Sequence, residues 1–291
     1  MMHYRVPSIL VEHRGYRAAR SGLRRFSYAV DERPRARPVV AAIPLMIACC
    51  LIAPGNARAQ GGPPMLTDDP GTPGDGQWEI NTALLEERTS SARDRSFPHV
   101  DINCGLGEHI QLKYETGYLF SDGPGSNGLK HDWDDSLLGL KWRFADQDNA
   151  GVDLSVYPQL ELQNSHRSVR RGIAEPTPNL FLPIEVAHTF GRVTLVSEVG
   201  YQYSSEQANE WVAGVLAAFE VSKRLELMAE IRSISENFLN GGDLIMNLGM
   251  RLEVAAKLKI LAAAGTGLRS GPDTTRFIGY LGFQLVLGNR Q

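Results

Sequence analysis

From Gln77 onward, apolar and polar residues alternate with a period of two. The segment "HIQLKYETGYLF" sets Ile110, Leu112, Tyr114, Thr116, Tyr118 and Phe120 on one face and Gln111, Lys113 and Glu115 on the other. "GVDLSVYPQLELQ" sets Val152, Leu154, Val156, Leu160 and Leu162 against Asp153, Ser155, Tyr157, Gln159, Glu161 and Gln163. "LIMNLGMRLEV" repeats the pattern, with Asn247, Gly249, Arg251 and Glu253 on its polar side. Successive side chains of a strand point to opposite faces, so this period defines β-structure with two unlike faces. No segment after Gln77 carries the apolar stripe of a helix.

Twelve such runs lie near 77–87, 99–106, 108–120, 136–145, 151–163, 179–188, 192–203, 210–222, 225–235, 243–255, 258–266 and 276–287. A tilted strand crosses a bilayer in about 9–11 residues, the length of most of them. Tight connections near Gly107, at Asp146–Asn149, Thr189–Arg192, Ser222–Arg224 and Ala256–Lys257 alternate with longer polar ones. The longer ones run Arg88–Pro98, Ser121–Asp135, Asn164–Pro178, Ser204–Asn209, Glu236–Gly242 and Arg269–Thr275. Alternating short and long connections mark an up-and-down transmembrane barrel, with short turns on the periplasmic side and longer loops outside. The fold class is therefore all-β, a transmembrane up-and-down antiparallel β-barrel of about 12 strands, with both barrel ends on the periplasmic side.

The polar face carries full charges, which are costly in a dry core without partners but ordinary beside a wet lumen. The candidate pore-lining residues are Glu79, Asp101, Lys113, Glu115, Lys141, Arg143, Asp153, Glu161, Glu198, Glu230, Arg232, Arg251 and Gln284. Eight strands enclose only side chains, and sixteen or more leave an open channel. Twelve strands predict a narrow passage, or one filled by its own salt bridges. Trp78, Tyr118, Trp142, Phe144, Tyr201, Tyr203, Trp211, Phe277 and Phe283 fall near strand ends, as interfacial girdles require. Two features run against the pattern. Pro158 and Pro183 fall inside strands, where a missing N–H predicts local bulges. The last strand also continues past Leu287 into a polar tail, 288–291, rather than stopping on an aromatic.

Ahead of the barrel, Arg35 and Arg37 precede the apolar run Pro38–Pro54, followed by Ala57-Arg58-Ala59. Basic, apolar and small-residue regions in that order form a secretory signal cleaved after Ala59. A membrane anchor is the alternative, but a run of about 16 residues broken by proline is short for a spanning helix. Residues 1–34 read as sequence upstream of the functional start, and a lipid anchor at Cys49 is a weaker reading. Residues 1–59 then comprise the extension and signal, 60–76 a periplasmic lead-in, and 77–287 the barrel. The leader holds ten of the 30 Lys+Arg and three of the 33 Asp+Glu, so the rest has 20 basic and 30 acidic residues. An acidic chain does not suit a nucleic-acid partner, whose binding needs positive charge to displace counterions. Of three cysteines only Cys104 lies beyond the leader, so no disulfide within the barrel is expected.

The lead-in "TDDPGTPGDGQWEIN" opens with Asp68-Asp69 and becomes strand-like at Gln77. Paired carboxylates could hold a divalent cation, but no further carboxylate follows at a loop-site spacing. Asp before Pro-Gly is also a turn former. The expected role of Asp68 and Asp69 is closure of the periplasmic mouth, as a turn or small plug, with no metal. A serine hydrolase would need an oriented Ser, His and carboxylate. None of His99, His109, His131, His166 and His188 lies in a Gly-x-Ser-x-Gly context, and His99, His131 and His166 read as strand-end or loop residues. No enzyme and no cofactor are expected. "HRSVRR", His166–Arg171, is a basic island suited to lipopolysaccharide phosphates or simply to water.

The segments "TDDPGTPGDGQWEIN", "DINCGLGEHIQLKYE", "SLLGLKWRF", "GVDLSVYPQLEL" and "GYLGFQLVL" resemble the bacterial outer-membrane family labelled MetA-pathway of phenol degradation, over nearly all of residues 66–287. The resemblance implies an outer-membrane barrel of a Gram-negative bacterium that transports small aromatic or other hydrophobic molecules. It supplies no catalytic residues. The expected function is a narrow passive channel. A barrel with a blocked lumen is the alternative, and an outer-membrane hydrolase the weaker one. Expected partners are outer-membrane lipid and lipopolysaccharide, the barrel-assembly machinery and a small-molecule solute.

Overall fold

The computed structural model describes residues 62–123, 128–174, 178–204, 208–269, 271 and 274–288. The signal sequence and its cleavage site lie outside them. The chain forms β1 (Trp78–Arg88), β2 (Arg93–Leu106), β3 (Ile110–Asp122), β4 (Lys130–Ala145), β5 (Asp153–Val156), β6 (Gln159–Leu162) and β7 (Asn179–Phe190). It continues with β8 (Val193–Ser204), β9 (Glu210–Ser222), β10 (Leu225–Ser235), β11 (Asp243–Ala255), β12 (Leu258–Gly267) and β13 (Phe277–Leu287). Two short helices, α1 (Gln147–Ala150) and α2 (His166–Arg170), sit in connections.

Apart from β5 and β6, each strand pairs antiparallel with its sequence neighbours, and β1 closes the ring on β13 from Trp78↔Leu287 to Arg88↔Phe277. β5 and β6 share one place between β4 and β7, so the barrel has twelve strand positions. Closure pairs the edges that an open sheet would expose to lipid.

The alternation assigns the faces as the sequence predicts. Lys113 and Glu115 are 6% and 0% exposed, while Leu112 and Tyr114 between and beside them are 44% and 41% exposed. The outer surface is apolar and the charges point inward, the reverse of a soluble protein. Trp78, Trp142, Phe144 and Phe219 ring the end where β1 begins, and Trp133, Tyr203, Trp211 and Phe238 ring the other, all exposed.

The prolines behave differently from expectation. The fifth strand position is interrupted at Tyr157-Pro158, yet no bulge forms there. Val156↔Ile184 and Gln159↔Phe181 keep one register with β7, and Trp142↔Val156 and Gly139↔Gln159 keep one register with β4. Tyr157 N–H still reaches Pro183 O at 3.2 Å, and Leu140 N–H reaches Pro158 O at 3.0 Å. Each proline deletes only the return bond of its pair, which leaves the register standing. A register shift instead falls between Ser96 and His99, spanning Phe97-Pro98. The segment expected to be a long loop to Pro98 is therefore mostly strand, with only Thr89–Ala92 connecting β1 to β2. Nor is the alternation of connection lengths strict. The connection between β4 and β5, at the end where β1 begins, contains α1, whose first residue Gln147 donates its N–H to Asp153 Oδ1 at 2.8 Å.

Candidate functional site

The lead-in rises into the barrel. Its base is fixed beside the β2–β3 turn, where Gly107 N–H donates to Asp75 Oδ1 at 2.8 Å and Thr72 Oγ1 donates to Glu108 O at 2.7 Å. Farther in, residues 62–67 fold into a closed loop, with Met65 N–H bonded to Gly62 O and Gly62 N–H to Thr67 O, both at 3.0 Å. Pro63 and Pro64 have no N–H to satisfy, which suits a segment with no strand to pair with. Met65 and Thr67 are 0% exposed.

The wall grips this loop at mid-height. Glu230, halfway along β10, accepts Leu66 N–H at 2.9 Å and Thr67 N–H at 2.8 Å. Arg232 donates to Leu66 O and to Glu198 Oε1, both at 2.7 Å. Arg251 donates to Pro63 O at 3.0 Å and to Gly62 O at 3.1 Å. Lys141 bonds Asp68 Oδ1 at 3.0 Å and the Asp69 carbonyl, and it lies 3.4 Å from Glu185. Burial pushes the Asp69 carboxyl up to about 6, although Lys141 opposes it. For Asp68, burial also raises the value, but Lys141 and Lys113 together outweigh it and hold the carboxylate below its ordinary range.

Apolar contacts complete the seat. Met65 packs with Ala187, Val196, Leu216, Ala218 and Met228. Leu66 packs with Ala83, Leu85, Ile245, Leu261 and Ile278. Two inward glycines make the room. A Cβ on Gly214 would strike Thr67 Oγ1, and one on Gly249 would strike Met65 Sδ.

Across the lumen, β1–β4 carry a network paired mostly within the wall. Asn81 and Asn103 donate to Asp101 at 3.1 and 2.9 Å, and Gln111 donates to Asn103 at 2.7 Å and to Tyr157 at 3.2 Å. Lys113 lies 2.7 Å from Glu115 and 3.7 Å from Asp101, and His99 lies 3.2 Å from Glu115. His99 is thus an inward strand residue, 2% exposed, not a strand-end or loop histidine as its sequence context suggests. The bulge at Phe97-Pro98 resets the pleat and turns it in.

The thirteen expected lumen residues divide by height. Asp101, Lys113, Glu115, Lys141, Glu198, Glu230 and Arg232 are buried around the plug. Arg251 is buried lower down, beside Glu226 at 3.1 Å. Glu79 and Gln284 face inward near the end where β1 begins. Arg143 turns to the mouth, pairing with Asp146 at 2.9 Å, and Asp153 caps α1. Glu161 lies in the outer half and accepts from Asn179 at 3.2 Å. Asp68 and Asp69 sit deeper than the mouth, within the plug. Glu185 and Asn247 belong to the same arrangement. Each could be found by extending the alternation through its run, since Glu185 is inward with Phe181 and Asn247 with Arg251. In the basic island, Arg171 and Arg167 lean on Asp132 at 3.3 and 3.6 Å.

A closed antiparallel barrel of twelve strand positions with an apolar exterior and its charges inside defines a transmembrane β-barrel of the outer-membrane type. Two solved structures share the architecture. The COG4313 outer membrane channel from Pseudomonas putida F1 superposes with a TM-score of 0.56 at 16% identity, covering 81% of this chain and 100% of that one. The KdgM porin, solved in complex with disordered oligogalacturonate, gives 0.52 at 9% identity, covering 72% and 99%. At these identities the likeness concerns the fold. No protein-family model matches the sequence, and no curated protein matches it.

Proposed function

We propose that this protein is a narrow passive channel of the bacterial outer membrane, held shut by residues 62–71. The observation that carries the reading is how the plug is held. It is docked by hydrogen bonds, the Lys141–Asp68 ion pair and two apolar side chains, and its base is tethered at the periplasmic mouth. Displacing it would uncover a lumen lined by charge without unfolding any strand. Rings of charge of this kind set which solutes pass. The two similar barrels bear the names of a channel and a porin, which favours transport over hydrolysis. The sequence resemblance to the MetA-pathway of phenol degradation family extends the proposal to small aromatic or hydrophobic molecules as cargo.

A blocked, structural or binding barrel is the second reading, and the filling of the lumen by the plug is what favours it. Planar-bilayer recording separates the two. Wild-type protein should conduct rarely, and the full-length variant Met65→Asp/Leu66→Asp, which places carboxylates in the two apolar seats, should conduct steadily. A folded double variant with no conductance would leave the blocked barrel standing. Outer-membrane fractionation with heat-modifiable gel mobility tests the location.

A further inference from the structure

The plug is recognised chiefly through its main chain. Glu230 takes two consecutive amides, of Leu66 and Thr67, while Arg232 and Arg251 take carbonyls of Leu66, Pro63 and Gly62. Any short peptide presents such groups in the same order. Side-chain choice enters at three points. One apolar seat holds Met65 and a second holds Leu66. Lys141 then meets a carboxylate two residues beyond Leu66, at Asp68. Every one of these wall groups belongs to a strand, so the seat persists when the plug leaves. A purely apolar solute would fill the two pockets but offer no N–H to Glu230, which would keep Asn247 at 2.7 Å and lose its two amide donors. Leaving a buried acceptor less satisfied costs affinity, so the wall discriminates against such a solute.

We propose that the vacated seat is a peptide-binding site, and that the channel's solutes are short peptides with two adjacent apolar residues followed by a carboxylate, side-chain or C-terminal, two positions on. The plug is then an internal copy of the solute, and solute and plug compete for one wall. The proposal rests on the reading of the plug as displaceable and replaces hydrophobic molecules with short peptides as the cargo.

The test uses full-length Met65→Asp/Leu66→Asp protein, its barrel verified by heat-modifiable mobility. It is titrated with fluorescently labelled Gly-Pro-Pro-Met-Leu-Thr-Asp-Asp, the sequence of residues 62–69, and binding is followed by anisotropy. Saturable binding is expected. It should weaken about tenfold or more when Ser-Ser replaces Met-Leu in the peptide, and by a similar factor when Glu230→Gln is added to the wall. Equal binding of both peptides, or indifference to Glu230→Gln, would overturn the proposal. Should the double variant fail to fold, Asp68→Lys sets a second cation against Lys141 and loosens the same segment from an unaltered wall. Conductance is recorded in parallel. A variant that conducts but binds no peptide removes the peptide site and keeps the channel. One that binds peptide yet never conducts keeps the site and removes the channel.

Discussion

The two walls of the lumen are built from the same alternation but use their charges differently. On β1–β4, Asp101, Asn103, Gln111, Lys113, Glu115 and His99 meet partners on the same strands and their neighbours. On β8–β11, Glu230, Arg232 and Arg251 direct hydrogen bonds at the main chain of residues 62–67. Gly214 and Gly249 on this second wall clear space for Thr67 and Met65, as Gly105 on β2 does for Gly74 lower in the lead-in. A network paired mostly within its own wall adds rigidity whether or not the plug is present. A network completed by a movable segment is a docking surface. The first wall reaches the plug chiefly through Lys141 of β4, which bonds Asp68 and the Asp69 carbonyl, and through Leu85 of β1 beside Leu66, so the two walls differ in how much of their charge the plug engages.

The largest effect that could break this contrast is loss of the apolar seats. Burying a side chain the size of Met65 or Leu66 is worth about 2 kcal/mol. Replacing both with aspartate forfeits that and adds charge to apolar pockets, so the open probability should rise by about a thousandfold in single-channel records. The reciprocal change lies on the first wall. Glu115→Gln removes one partner of a buried ion pair, a loss of about 3 kcal/mol. It should lower barrel stability in urea titrations of vesicle-folded protein while leaving conductance at the wild-type level. An open channel from Glu115→Gln would erase the distinction between the walls. A smaller effect is steric. Gly214→Val drives a side chain into Thr67, and overpacking of this kind costs about 2 kcal/mol. It should raise open probability roughly thirtyfold without changing the folded gel mobility.

The barrel was legible in the sequence because lipid outside and water inside force a strict period of two, and each strand repeats it. Lys113, Glu115, Glu230 and Arg232 were therefore assignable to one face without any knowledge of their partners. His99 was not, because Pro98 reads as the end of a loop and only the bulge in β2 shows that the strand continues through it. The plug was half legible. The turn chemistry of Asp68 and Asp69 pointed to the periplasmic mouth. But "PPML" has no period, and its seat is assembled from Leu85, Leu216, Gly214, Gly249 and Glu230. Those residues share a place only after the barrel closes.

The finest discrimination between the walls is by pH, through a residue that belongs to neither. The docked Asp69 carboxyl titrates at about 6 because burial disfavours its charge, whereas a carboxyl released to water returns to about 3.9. A raised docked value means that docking binds a proton. Its contribution is fully present below the released value and is lost as pH rises through the docked one. Asp68 works the other way, since its docked carboxylate is held low by Lys141 and Lys113. Its contribution is lost only in acid below the ordinary carboxylate range. Between pH 5 and 7.5 the Asp69 effect therefore governs the pair, and open probability should rise about tenfold over that interval. Asp69→Asn, which keeps the shape of the protonated acid, should flatten the profile and hold the channel at its pH 5 behaviour. If the rise persists undiminished in Asp69→Asn, the titrating group lies in the wall, and the β1–β4 network is less fixed than its internal pairing indicates.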